Sequence, residues 1–285
     1  MTPSFERTLG ALRGAGTRLV ADFDDLLFAG NVSGLPASVR HSHGVPHRLA
    51  GYAATLDVFD HFIVSTRALA TRLLEQRPLA RVTVVPNGLS RTWVEQGRAL
   101  YPRFSIGDRL VLRYFSGSPS HDLDFASILA PLSEFMKKCP EVTLELFGPL
   151  RLAIPGLPQA RVRWLPKVSY DHLPKHLGST WVNLAPLVPN DFNDCKSAIK
   201  FLESAAFVCP TLASKNDDLL RHQELGAPVV LCDDEQDWYR QLHLMLDLDR
   251  RCDIGGKAMN HVAAHGMASS HVTSWLHALD LGESP

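Results

Sequence analysis

The sequence predicts an α/β protein built on a doubly wound parallel sheet. Six short apolar runs alternate with helical patterns through the second half of the chain. Several of those runs are apolar on both faces, as strands covered by helices on both sides must be. The first half adds a strand, a helix and a strand at the spacing of a parallel βαβ unit.

In the first half a short helical stretch, Ser4 to Leu12, is followed by the apolar run "RLVADF", which ends in the carboxylates of "DFDD" (Asp22, Asp24, Asp25). A Gly-, Pro- and His-rich section from Gly30 to Pro46 reads as irregular, and residues 47–60 carry helical periodicity. "HFIVST" reads as a strand running into Ser65 and Thr66, which cap the helix "RALATRLLEQ". "RVTVVPNGL" is a further strand closed by a Pro-Asn-Gly turn.

Strands in the second half are expected at 109–117, 142–148, 161–165, 181–187, 209–214 and 228–232. Helices are expected between them and from Asp234 onward. Pro, Gly and charge interrupt the pattern near residues 100–109, which suggests domains at 1–104 and 105–285, two domains being what this length allows.

Net charge is −1, which offers no general attraction to nucleic acid or an anionic membrane. Five scattered cysteines without CxxC pairs suit a reducing cytoplasm. No segment approaches the ~18 consecutive apolar residues of a membrane span, and the N-terminus lacks the apolar core of a signal peptide.

Ligands of such sheets sit at the carboxyl ends of the strands. The loop "FSGSPSHDLDF" there offers Gly117, Ser118 and His121 before a long helix, an arrangement suited to an anion such as phosphate; an ordinary turn capped by Ser120 is the plainer reading. "NDCKSAIKFLESAAFVCPTLAS" (193–214) reads as a loop, one helix and a strand. Lys196, Lys200 and Glu203 fall at i, i+4 and i+7 on one stripe, opposite Ala198, Phe201, Leu202 and Ala205. The lysines suit a diphosphate and Glu203 suits vicinal hydroxyls, although such stripes are commonly solvated ion pairs. "DFDD" has the chemistry for a hard cation, but reads better as structural. His41, His43 and His47 of "HSHGVPH" lack a fourth ligand and read as ordinary loop residues.

The order of "VADFDDLLF", "FIVSTRALATRLLE", "VTVVPNGL", "RYFSGSPSHDLDF", "LELFGP", "WVNLAPL" and "NDCKSAIKFLESAAFVCPTLAS" resembles GT-B glycosyltransferases, in particular the GT4-like bacterial surface-polysaccharide enzymes. The resemblance spans roughly residues 18 to 280 and implies two Rossmann-like domains facing a cleft. The C-terminal domain would hold a nucleotide-sugar donor as substrate, without a metal or other cofactor, and the transfer would be retaining. It implies that Glu203 matches the second glutamate of the family's pair and contacts the donor ribose. The first glutamate would fall at Cys195 and is missing. The pattern assigns His121, Lys200 and Glu203 to catalysis and Gly117, Ser118, Asn193, Asp194, Lys196 and Ser197 to substrate binding. The family's glycine ahead of the buried proline is replaced by Phe207 and Val208.

Only about 17 residues precede the strand "RLVADF" that opens this segment, where such enzymes carry further βαβ units. The N-terminal domain is therefore expected to be truncated, which leaves a minimal enzyme with a more open cleft, a chain completed by a partner or second copy, or a fragment or degenerate relative; an exposed strand edge favours the oligomer or partner chain. The expected partners are a nucleotide-sugar donor and a glycan or lipid-linked acceptor, with no nucleic acid. The expected location is cytoplasmic, with room for peripheral contact at the inner face of the membrane. A non-catalytic nucleotide-sugar- or glycan-binding subunit is the alternative. An epimerase of the same fold would need acidic and histidine residues converging on a sugar, and no clear set is present.

Overall fold

The computed structural model describes residues 3–28, 45–100, 110–118 and 121–281. The chain forms two compact units: one from Met1–Asn87, Asn190–Ser197 and His271–Pro285, the other from Gly88–Pro189 and Ala198–Ser270. Position 104/105 and most of the His-rich segment, including His41 and His43, lie outside the described residues.

The first unit holds a parallel sheet ordered β1-β2-β3: β1 is Val20–Phe23, β2 is His61–Val64 and β3 is Arg81–Val84. Thr66 caps the helix Arg67–Gln76, its hydroxyl accepting from the Leu69 amide at 3.1 Å. Phe23, Phe28, Phe59, Phe62, Leu69 and Leu73 fill the core, and Phe192 and Cys195 join them from the returning segment. Each fully buried Leu or Phe contributes roughly 1.5–3 kcal/mol.

The second unit holds six parallel strands ordered β6-β5-β4-β7-β8-β9. In chain order β4 is Val111–Phe115, β5 Thr143–Phe147, β6 Val162–Leu165, β7 Val182–Ala185, β8 Thr211–Ser214 and β9 Val230–Cys232. Every residue of β7 is buried, and only terminal residues of β4, β5 and β8 are not fully so. The doubly wound sheet is thus as the apolar runs predict. Strand order reverses between β4 and β7, so the crevice for a ligand opens past their carboxyl ends.

The expected single helix after Asn193 is two. Asp191–Asp194 forms one turn capped by Asn190, and the helix proper is Ile199–Ala205. A continuous helix would bond the Ile199 amide to the Cys195 carbonyl and the Ala198 amide to the Asp194 carbonyl. Instead the Cys195 carbonyl accepts from the Thr66 hydroxyl at 3.0 Å, and the Ala198 amide donates to Asp218 Oδ2 at 2.7 Å. Two distant side chains take over the backbone groups, and the helix breaks between them.

Past the helix, Val208 adopts φ 58°, the left-handed region. The Val208 and Cys209 amides bond to the Ala205 and Ser204 carbonyls, closing the helix as a glycine normally would.

Candidate donor site at the switch point

The loop after β4 and the loop after β7 are joined through one carboxylate. Asp124 is 4% exposed; its Oδ1 accepts from the Val188 amide at 2.9 Å and its Oδ2 from His121 Nδ1 at 2.9 Å. This bond fixes the imidazole tautomer, leaving Nε2 as the other working nitrogen. Burial pushes the Asp124 carboxyl up, but its bonds to His121 and Val188, with the charges of His121 and Lys200, bring it below its ordinary value.

Lys200 reaches the same place from the helix Ile199–Ala205. Its ammonium lies 5.1 Å from the ring centroid of Tyr114 on β4, a cation–π distance. The Tyr114 hydroxyl donates to the His121 carbonyl at 3.4 Å. In the loop between, the Ser116 hydroxyl donates to the Ser118 carbonyl at 2.8 Å and Lys167 Nζ to the Gly117 carbonyl at 2.9 Å. Among the described residues, a Cβ at Gly117 would meet no atom beyond its chain neighbours within 4 Å, which leaves the backbone there room for a ligand. Ser120 lies outside the described residues; the helix that follows is Asp122–Ala126, preceded by His121 with no side-chain capping bond.

Glu203 stands one turn beyond Lys200. Burial raises its carboxyl to about 7, opposed by the Lys200 charge. Glu203 also acts on Tyr170, whose hydroxyl is raised chiefly by burial and then by this carboxylate. Tyr170 stacks on Trp93 with centroids 4.5 Å apart.

Asn193, Asp194, Lys196 and Ser197 belong to the first unit, so the expected Lys196–Lys200–Glu203 stripe does not form one helix face. Asn193 is buried, its amide donating to Asn190 Oδ1 at 2.9 Å, whereas Asp194 is exposed. Lys196 pairs with Asp25 at 3.6 Å and lies over the Phe192 ring. Asn87 Nδ2 donates to Asp24 Oδ1 at 2.6 Å and to Ser197 Oγ at 3.0 Å. Asp24, Asp25, Asn87, Lys196, Ser197 and Ser65 thus gather past the carboxyl ends of β1, β2 and β3. Asp22 is raised by burial and by Asp24.

Asp124 is the residue the sequence reading missed. Its spacing from His121, i and i+3 at a helix start, is the available signal, but Asp122 and Asp124 also suit the first turn of any helix. Among the described residues no group of three or more His, Cys, Asp or Glu is arranged to hold a metal, and no helix is long and apolar enough to cross a membrane.

No protein-family model matches the sequence, and no curated protein matches it either. The fold is nevertheless well populated: the chain has the α/β architecture of the GT-B glycosyltransferases. Among solved structures it is similar to HepE of Anabaena, crystallised with UDP (TM-score 0.66, 16% identity, covering 96% of this chain and 75% of that one). HepE has also been crystallised with UDP-glucose. Sucrose-phosphate synthase of Thermosynechococcus elongatus gives a TM-score of 0.63 at 15% identity, covering 96% of this chain and 71% of that one. TarM of S. aureus gives 0.60 at 12% identity, covering 82% and 46%.

Proposed function

We propose that the protein is a glycosyltransferase of the GT4-like, surface-polysaccharide kind, transferring a sugar from a nucleoside-diphosphate sugar to a saccharide or lipid-linked acceptor. The observation that carries this reading is the meeting of His121, Asp124 and Lys200 past the carboxyl ends of β4 and β7. A diphosphate there would be met by the Lys200 ammonium, by the His121 imidazole and by the backbone at Gly117, with Ser118 beside it. Negative charge grows on the diphosphate as its bond to the sugar breaks, so fixed positive groups favour the transition state over the ground state. Glu203, as a carboxylate, would accept from the ribose hydroxyls and fix the donor's register. Lys196, Ser197, Asn193 and Asp194, in the first unit, are assigned to substrate binding. Donor chemistry of this kind needs no metal, and we assign none. A retaining course and a cytoplasmic setting at the membrane's inner face belong to the same reading, with a partner chain or second copy completing the first unit.

One observation favours a binding subunit instead. Cys195, where the family resemblance expects a glutamate, is 1% exposed in the core of the first unit. The carboxylate that the resemblance expects at this position is therefore lacking, and only the neighbouring Asp194 or Asn193 could substitute for it.

A thermal-shift screen against UDP-, GDP-, dTDP- and CMP-sugars tests the reading, with Glu203→Gln as control. Stabilisation by one class, weakened in Glu203→Gln, is expected; no stabilisation by any of them would sink it. Binding without turnover on any lipid-linked acceptor would select the subunit reading.

A further inference from the structure

The helix that carries Lys200 and Glu203 rests on a chain of side chains that the donor chemistry does not use. Its first amide, that of Ala198, donates to Asp218 Oδ2 at 2.7 Å. Asp218 Oδ1 accepts from Arg221 Nε at 2.7 Å. Arg221 Nη2 lies 2.9 Å from His222 Nε2, and His222 Nδ1 lies 2.8 Å from His261 Nε2. Asp218, His222 and His261 are 2%, 0% and 7% exposed.

The proton positions in this chain follow from one fact: a guanidinium only donates. His222 Nε2 must therefore accept from Arg221, which puts the His222 proton on Nδ1. That N–H donates to His261 Nε2, so the proton of His261 sits on Nδ1. Each bond orients the next group, ending at the Ala198 amide. The chain touches the helix a second time through Phe201, whose ring centroid lies 5.9 Å from that of His222 and 6.1 Å from that of His261. His261 and His265 have the i, i+4 spacing of a metal pair, yet His222 spends both nitrogens on Arg221 and His261. Among the described residues no metal group is formed.

We propose that His222 and His261 are positioning residues for the proposed donor site: through Arg221 and Asp218 they hold the start of the Ile199–Ala205 helix, and with it Lys200 and Glu203. The functional half of this inference rests on the reading of the protein as a nucleotide-sugar binder; the mechanical half does not. Both halves require a neutral imidazole pair. The groups facing it are Asp218 and Arg221 from the helix Asp217–Glu224, the exposed His265 from the helix Leu248–His265, and the uncharged Phe201. Burial first, and then His265 and Arg221, hold His261 down to about 4, so His261 stays neutral across the neutral range.

The test compares His261→Phe, His261→Gln and Asp218→Asn with the unsubstituted chain. Two readouts are taken well below the unfolding temperature: hydrogen exchange of the amides from Ala198 to Leu202 without ligand, and UDP affinity by calorimetry. His261→Phe and Asp218→Asn are each expected to speed exchange at the helix start by roughly two- to tenfold, the scale of one hydrogen bond. UDP binding should weaken by a similar factor. His261→Gln, which retains an acceptor for His222, should restore both, and the Phe/Asn double variant should be no worse than either single one, as for two links of one chain. Unchanged exchange overturns the inference. Faster exchange with undiminished UDP affinity also overturns it, because the chain then serves folding alone. If the unsubstituted chain does not bind UDP, affinity is read with the nucleotide that the thermal-shift screen selects; if it binds none of them, the proposed function is refuted instead, and the hold on the helix is then decided by exchange.

Discussion

Arg113 of β4 and Glu145 of β5 stand directly opposite each other in register and meet in a buried ion pair, Nε to Oε2 2.7 Å. Arg163 of β6 reaches the other oxygen of Glu145 at 3.2 Å. Arg113 also donates to the His176 carbonyl and to the hydroxyls of Ser179 and Thr180. On the far side Asn183 and Thr211 continue the row across β7 and β8, and Asn183 Nδ2 donates to the Lys200 carbonyl at 3.4 Å. An apolar sheet thus carries one polar row, which ends beneath the lysine of the proposed site.

Breaking that pair from one side should be expensive. Glu145→Leu leaves a buried guanidinium unbalanced and should cost about 3–5 kcal/mol in urea unfolding. Replacing both partners, Arg113→Met with Glu145→Leu, should recover most of the loss. A double variant as unstable as the single one would show that the row does more than neutralise itself.

Asp124→Asn tests the tie across the switch point. The substitution removes the charge that holds His121 Nδ1 but leaves an oxygen for the Val188 amide. Its wild-type carboxyl is held below the ordinary value, so its stabilising effect is present above the unfolded carboxyl value and disappears as pH falls through the folded one. At neutral pH the variant should lose about 1–3 kcal/mol, the range for weakening a charged hydrogen bond. The loss should shrink in acid. A constant loss at all pH values would contradict the assignment.

Glu203 gives the opposite sign. Its folded carboxyl, at about 7, lies above its unfolded value, so stability is fully present in acid and declines as pH rises from about 4.5 to about 7. Glu203→Gln should therefore match the parent near pH 4 and exceed it by roughly 1–3 kcal/mol near pH 8. UDP-glucose affinity should rise through pH 7 in the parent, because the carboxylate is the better acceptor, and remain flat in the variant. A nucleotide sugar is the right probe, since its diphosphate does not titrate in that range.

Val208 is strained where a glycine would not be. Val208→Gly should stabilise the chain by about 0.5–1 kcal/mol, relief of the left-handed backbone exceeding the loss of a half-buried side chain. Gly255→Ala should do the reverse, since its Cβ would lie 2.2 Å from the Val208 carbonyl oxygen. Loss of at least 2 kcal/mol on thermal unfolding is expected, the range of core overpacking.

Each of the nine strands expected from apolar runs is found within a few residues of its expected limits, because Gly, Pro and charge bracket those runs so sharply. His121, Lys200 and Glu203 were legible as chemistry-bearing side chains. The broken helix was not, because the groups that break it, Thr66 and Asp218, lie far along the chain from the backbone they capture. The partner of His121 was hidden in an acidic helix start that looks like any other. The strain at Val208 was visible only as a missing glycine.

The first unit is assembled from three separated stretches, and its core waits for the last of them. Phe192 and Cys195 pack among Phe23, Phe62 and Leu69, and Ala278, 0% exposed, packs against Ile63 and Val85. Arg81 is held by Asp280, and so is Arg18. During synthesis the second unit has its whole sequence once residue 270 has emerged, whereas β1 to β3, made first, are still without their covering segments. The sheet that precedes the second unit in the chain is therefore completed after it, and until then it presents apolar strands that a chaperone would recognise.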